Sequence, residues 1–523
     1  MERKYAQALK TLNLLETKCG VYDLEVDGIP VWWFIRYKFF LSYLEKLNSA
    51  GAEKEISRYR VIPVHNFINT VSFGLRSLKS LAMIIGHKKK PVWLLAYSSD
   101  LKKTKNGAAE DINIGLVYQK LRERATVIEM PSLTPNDFNS LLFRKEAFFF
   151  DAAVAISIIV NFAKSRKKPA IGRWKEFSEL CRRTDFGQDC PPSDWISDKV
   201  LGLINQSYAK VLFQVEAARF SLEKYMPEII VETSSYEAGV TAINFAAKKM
   251  GIPVIEIQHG IITNAHAGYI YFTPQKYLSS KPRPQKFMAH GQIYKDIILN
   301  SGNAFLPEDI IVAGNMRIEK FLRENLPGKE TIRKRVRQAL GIGENDFLAT
   351  ISSQNLPKEE FAQIVEEVLL TSEEDLFICI KPHPAEDDWK QAYGRILSHS
   401  RARFVTDGDI DLYDLLTASD LHATTISTVF LECLAIDIPN IIVNSPNLGS
   451  ILDLVNYCGI SPVKTAEEFV EEIHKIRNDK KYKEEIIKKG KKITEHFFAP
   501  TGHPENVIVE EILKKLKNKK QAL

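Results

Sequence analysis

Two short stretches of this chain gather residues able to hold an anion. In Lys381-Pro382-His383-Pro384 the flanking prolines stiffen the loop, so that the His383 imidazole can be aimed with little entropic loss. In Thr424-Thr425-Ile426-Ser427-Thr428, a run of hydroxyl residues leads into the helically spaced apolar stretch Val429 to Ala435, which contains Glu432. A helix that begins in hydroxyl residues offers O–H donors, unpaired backbone N–H groups and the positive end of its dipole, a set that suits a phosphate. Serine and threonine also cap helices that bind nothing. The phosphate reading gains because both stretches follow buried-strand patterns, Phe377 to Ile380 and Leu421 to Ala423, at the edge where open α/β sheets take ligands.

A third candidate is Gln258-His259-Gly260, which closes the apolar run Gly251 to Ile257. An imidazole at the carboxyl end of a parallel strand points into a cleft, and the glycine after it permits an unusual backbone angle. A structural histidine bonding a neighbouring loop is the plainer alternative. Lys286 to Gly291 and Asp309 to Asn315 read as further strands, so His290 and Arg317 fall at the same edge, with Gln258 and Gly260, on the acceptor side. Ser352 and Ser353 follow the strand Phe347 to Ile351, where first-strand loops touch phosphates or acceptor.

The elements that must position these residues alternate. Pro91 to Tyr97 is a first strand, followed by a polar loop, Ser98 to Glu110, expected to hang over a cleft. After a helical insertion from about Leu141 to Tyr225, the strand Glu228 to Glu232 and a helix ending near Met250 resume the pattern. The second half repeats it from Phe347 to Val443. The expected class is α/β, with two Rossmann-like domains facing a cleft and helical additions in the N-terminal half. The domains are placed at 1–325, 326–500 and 501–523 (a basic helix). Gly28 to Tyr37, dense in aromatics, reads as a core helix or as a wall of the acceptor site. Thr465 to Ile476 and Tyr482 to Phe497 are late helices, the second expected to cross back to the first domain.

Composition is that of an ordinary soluble globular protein: 45% hydrophobic, 26% charged, net charge +6. The positive excess sits in Lys88-Lys89-Lys90, Arg166-Lys167-Lys168, Lys488 to Lys492 and Lys514 to Lys520. These are solvated faces or an attraction to an anionic membrane. The helical spacing of Val64 to Ile85, ending at the first cluster, fits a helix resting on a membrane, and Ala147 to Ala163, short and interrupted by Asp151 and Asn161, fits a buried or interfacial helix and not a crossing. The six cysteines show no CxxC pair, which points to reduced thiols and a cytoplasmic protein without a zinc site.

In order, Gln258-His259-Gly260, Gly314-Asn315-Met316-Arg317, Lys381-Pro382-His383-Pro384 and Thr424 to Glu432 resemble motifs of GT-B-fold transferases of bacterial surface polysaccharides. The likeness is greatest to capsule-synthesis transferases and to the CDP-glycerol glycerophosphotransferases of teichoic acid synthesis, and covers roughly Ile229 to Val443. The resemblance implies that the domain 1–325 is the acceptor side, with His259 as the base, and that the domain 326–500 binds the nucleotide donor, with His383 on its phosphate. A similarity to bacterial GT-B sialyltransferases matches His383-Pro384 and Ser427-Thr428 to residues contacting a CMP moiety. Glu432 resembles a glutamate that binds the nucleotide ribose. The chain has Thr424 to Thr428 where the glycerophosphotransferases have aspartate-tyrosine-serine-serine, and it lacks the sialyltransferases' acidic-acidic-glycine motif.

The implied activity is metal-independent glycosyl transfer, without cofactor, from a nucleotide-sugar donor, CMP-sugar favoured, to a surface polysaccharide or glycolipid. Donor binding falls to Lys381, His383, Pro384, Thr425, Ser427, Thr428, Glu432, Ser352 and Ser353. Expected partners are the donor, a glycan or lipid-linked acceptor and the inner face of the cell membrane, with no nucleic acid. Three alternatives stay open: a CDP-glycerol or CDP-ribitol phosphotransferase, a nucleotide-sugar 2-epimerase of the same fold, and a catalytically silent scaffold.

Overall fold

The computed structural model describes residues 2–48, 90–97, 101–103, 109–130, 147–165, 169–188, 190–278, 281–353, 358–383, 386, 389–406, 410–425, 427, 429–444 and 451–521. Pro384, Thr428, the segment Val64 to Ile85 and most of the first two basic clusters lie outside them. The chain divides into two compact units. The N-terminal unit comprises Lys4–Ala289, Lys295–Ala313 and Glu505–Leu523; the C-terminal unit comprises Gly314–Pro504, His290–Tyr294 and Met1–Arg3.

In the N-terminal unit, a two-strand ribbon (β1, Glu25–Val26; β2, Ile29–Pro30) precedes β3 (Val92–Tyr97), and an antiparallel pair (β4, Leu101–Lys103; β5, Ala109–Asp111) occupies part of the expected polar loop. The sheet continues with β6 (Ala125–Met130), β7 (Ala147–Phe149), β8 (Ile229–Glu232), β9 (Val254–Ile257), β10 (Lys286–Ala289) and β11 (Ile310–Val312). Its seven strands run in the order β11-β10-β9-β8-β3-β6-β7 and are all parallel. Strands β8 and β9 are buried at every position, which is why they read as continuous apolar runs broken only by Glu232 and Glu256.

Helices fill the rest of this unit. The 33-residue helix Ser193–Tyr225 buries Ile196, Val200, Leu203, Ile204, Tyr208, Val211, Leu212 and Val215 along one stripe, each worth about 1.5–3 kcal/mol of apolar burial. It stops at Met226, whose left-handed backbone (φ 47) lets its N–H close on Leu222, with Pro227 next. The aromatic stretch is core: Trp32, Trp33 and Phe34 are buried at the start of the helix Trp32–Asn48. The expected helical insertion contains a strand, since Ala147 to Phe149 pair with β6. The helix Phe150–Ser165 that follows leaves Ile159 and Val160 exposed. Among the described residues no helix is long and apolar enough to cross a membrane.

The C-terminal unit holds β12 (Phe347–Ser352), β13 (Leu376–Lys381), β14 (Ala402–Phe404), β15 (Leu421–Thr424) and β16 (Asn440–Ile442). Their order is β14-β13-β12-β15-β16, all parallel. The chain is thus α/β with two doubly wound parallel sheets. In each, the strand order reverses beside the first strand, between β3 and β8 and between β12 and β15, which is where such sheets open a crevice for ligand. The helix Lys480–Phe498 stays in the C-terminal unit, against the Val429–Ala435 helix, with Gly490 admitting Leu434. The segment that returns to the N-terminal unit is the last helix, Pro504–Gln521.

Candidate functional site

The carboxyl edge of the C-terminal sheet is knitted by three loops. Ser353 N–H, just past β12, donates to Lys381 O at the end of β13 (3.1 Å). The Ser353 hydroxyl donates to Glu386 Oε2 (2.6 Å), which also accepts from the His383 backbone N–H (3.3 Å). Glu386 N–H returns a bond to His383 O (2.8 Å). A carboxylate that is 2% exposed therefore clamps the His383 turn, while the imidazole itself is exposed and Lys381 half-buried. Glu386 was not singled out in the sequence; its only signal was an acidic residue one turn after a Pro-bracketed histidine.

Ser352 has a different part from the one expected. Asn440 spends its amide hydrogens on the carbonyls of Phe430 and Ile438 (both 3.1 Å), so its Oδ1 faces His422 Nδ1 (2.7 Å), which must carry the proton. His422 Nε2 is then an acceptor, and the Ser352 hydroxyl (2.9 Å) gives it its hydrogen. Burial lowers the His422 pKa to about 4, against the Asn440 bond that raises it, so the ring stays neutral. With its hydrogen committed, the Ser352 hydroxyl supports the sheet edge and has no donor for a phosphate.

Across the β12–β15 crevice, Thr424 Oγ1 donates to Ser352 O (2.8 Å) and accepts from Ser427 N–H (3.4 Å). Ser427 Oγ accepts from Val429 N–H (3.3 Å); that bond uses a lone pair and leaves the hydroxyl hydrogen to donate. Thr425, with Asn444, Lys464 and Glu360, Glu367 and Glu467, lines a groove of about 660 Å³. Three carboxylates facing it suit an uncharged, hydroxyl- or amino-bearing group better than a phosphate.

His290 and Arg317, expected beside Gln258 and Gly260, belong to the C-terminal unit instead. Asn315 Oδ1 caps the helix Met316–Glu324 by accepting from Arg317 and Ile318 N–H (3.0 and 3.1 Å), and its amide lies 3.3 Å from His290 Nδ1. The Arg317 guanidinium sits 4.6 Å over the Tyr413 ring, with Nη1 3.9 Å from Glu432 Oε1. The buried Glu432 Oε2 and the Tyr413 hydroxyl both lack a hydrogen bond of good geometry among the described residues, and the two groups are neighbours that interact electrostatically.

In the N-terminal unit His259 stands in a hydroxyl cage. Its Nε2 lies 3.2 Å from Tyr236 OH; its Nδ1 lies 3.5 Å from both Ser234 Oγ and Tyr269 OH. Tyr269 OH donates to Glu256 Oε1 (3.0 Å), which also accepts from Ser235 N–H (3.2 Å). Glu256 is in register with Glu232 on β8. Burial lifts both carboxyls: Glu232 goes well above the usual range, its neighbour's charge adding to the effect, and Glu256 to about 7 against hydrogen bonds that hold it down. Gln258 is buried, its amide donating to Gly260 O (2.7 Å) and shaping the loop. The sequence flagged His259 but neither Tyr236 nor Tyr269, which come from separate loops, nor the carboxyls hidden in apolar strands.

No protein-family model matches the chain, and no curated protein sequence matches it. Solved structures align over most of its length at low identity. UDP-GlcNAc 2-epimerase of Neisseria meningitidis, bound to UDP-GlcNAc, is 14% identical over 81% of this chain and 99% of its own, with a TM-score of 0.49. The UDP-GlcNAc 2-epimerase of Methanocaldococcus jannaschii, in complex with UDP-GlcNAc and UDP, gives 14%, 81%, 99% and 0.48. HepE of Anabaena, in complex with UDP and glucose, gives 16%, 82%, 99% and 0.44. The fold described above is read from the strand order itself.

Proposed function

We propose that the chain is a glycosyltransferase that takes a sugar from a nucleotide-activated donor, a CMP-sugar by preference, and passes it to a surface polysaccharide or glycolipid. The observation that supports this reading is the C-terminal sheet edge, where Lys381 closes β13, the Glu386-clamped turn of His383 comes next and Ser427 follows β15, on the two sides of the β12–β15 reversal. On this reading His383, Lys381 and Ser427 meet the charge that builds on the leaving phosphate, where preorganised donors are worth most. Glu432, held by Arg317, accepts from the ribose hydroxyls, and the groove beside Thr425 takes an uncharged part of the donor. His259 removes the acceptor hydroxyl's proton, Tyr236 and Tyr269 fixing its ring. Ile159 and Val160 on the helix Phe150–Ser165 rest on the membrane that carries the acceptor.

A thermal-shift series with CMP, CDP, UDP and GDP tests the reading first: a rise in Tm with CMP or CDP is expected, and no rise with any of the four sinks it. Incubation with a nucleotide sugar alone then separates the classes. Turnover that needs an acceptor supports a transferase, and epimerised or free sugar without acceptor replaces it by an epimerase.

A further inference from the structure

Lys281, on the segment leading to β10, is 2% exposed, and its Nζ meets no hydrogen-bond partner among the described residues. The ammonium lies 3.2 Å from the centroid of the Tyr271 ring and 5.7 Å from that of Trp33. The Arg283 guanidinium, which projects Nη1 without a partner among the described residues, lines the same small cavity. The charged groups around Lys281 are Arg283, Arg36, Glu16 and Glu256, and the carboxylates among them are engaged elsewhere. Glu16 pairs with Arg36 and accepts from Phe272 N–H; Glu256 is bonded by Tyr269 and Ser235. Asp309 lies 3.6 Å from both Arg283 Nη2 and Lys286 Nζ, and Lys248 donates to the Lys281 carbonyl (2.8 Å). Positive charge is thus in local excess.

The cavity, walled by Trp33, Tyr269, Tyr271 and Phe305, has room for about 10 Å³ of solvent centres, roughly one water-sized particle. Both side chains line it and, when charged, are donor-only, so what completes the charged pair must accept from each. We propose that this cavity is a binding site for one small monovalent anion of halide size, held between Lys281 Nζ and Arg283 Nη1. The volume excludes phosphate and sulfate and leaves no room for a hydration shell around the ion. Burial, with Arg283 and Arg36 adding repulsion, drives the Lys281 pKa well below its ordinary value, so anion uptake brings a proton to the amine and tightens as pH falls. The site is independent of the reading of His259 and His383, and its test does not use turnover.

The test is thermal denaturation of the full chain in chloride, bromide or gluconate at fixed ionic strength, together with a crystal soaked in bromide. Chloride and bromide should raise Tm saturably by about 3 °C over gluconate, more at pH 6 than at pH 8, and an anomalous peak should stand beside Lys281 Nζ. Lys281→Met should lose the Tm response; should that variant fail to fold, the wild-type bromide peak decides. A wild type indifferent to halide, a response surviving in Lys281→Met, or a crystal without the peak, as for an internal water only, overturns the proposal.

Discussion

At the scale of single residues, the two histidines have separable tests. His383 is exposed and its turn is held by backbone and Glu386, so His383→Ala should cost at least about 100-fold in kcat with Tm unchanged; a Tm-neutral variant that keeps turnover removes His383 from the donor site. On the proposed reading His259 is the base, its ring set by hydroxyls, so Tyr269→Phe should shift the pH dependence of kcat/KM while His259→Ala loses roughly 100-fold or more; an unmoved profile in Tyr269→Phe would leave Tyr269 a packing residue. Glu256 gives a stability test. Its folded form holds a proton up to about 7, more tightly than an unfolded carboxyl does, so its contribution is full below about 4.5 and is lost as pH rises through that window. His266, lowered by burial to about 4, works in the opposite sense. The wild type minus Glu256→Gln difference in urea midpoint, followed from pH 4.5 to 7.5, should therefore shrink as pH rises, and a flat difference would refute the shift.

At the scale of elements, the His422–Asn440–Ser352 chain ties β15, β16 and β12 together. Asn440→Ala leaves the His422 Nδ1–H unpaired in the core and should destabilise the C-terminal unit by roughly 1–3 kcal/mol, read from the exchange protection of β12 and β15. Gly291 is another pinch point: a Cβ there would run into the backbone of His496 and Phe497. Gly291→Ala should therefore cost more than about 1 kcal/mol, and a neutral Tm would show that the turn yields. Strand-level structure was legible from sequence because buried parallel strands are unbroken apolar runs, as in Ile229 to Val231 and Phe377 to Ile380. The site was only half legible. His259 and His383 stood out beside glycine or proline, but the partners that give them geometry, Tyr269, Glu256 and Glu386, arrive from loops and strands where nothing local marks them. Ser352 was expected to meet the donor, and the His422 ring that takes its hydrogen lies on another strand, where nothing beside Ser352 marks it. Arg317 was expected with Gln258 and Gly260, because strand alternation does not reveal that one compact unit ends before Gly314.

At the scale of the whole molecule, the division into units does not follow the order of the chain. The last helix buries Ile508 and Ile512 and belongs with Lys4–Ala289, not with the Gly314–Pro504 segment that precedes it. Truncation after Thr501 should therefore lower the stability of the N-terminal unit and spare the C-terminal one, measured by hydrogen exchange of β8 against β12. Loss of protection in β12 alone would contradict this.

The same return of the final helix sets a timetable for biogenesis. A ribosome delivers a chain from its N-terminal side, so the half made first must wait, one helix short, until Pro504–Gln521 has emerged. A nascent chain held in that condition shows apolar surface for seconds or longer at ordinary elongation rates, an interval in which aggregation competes with folding.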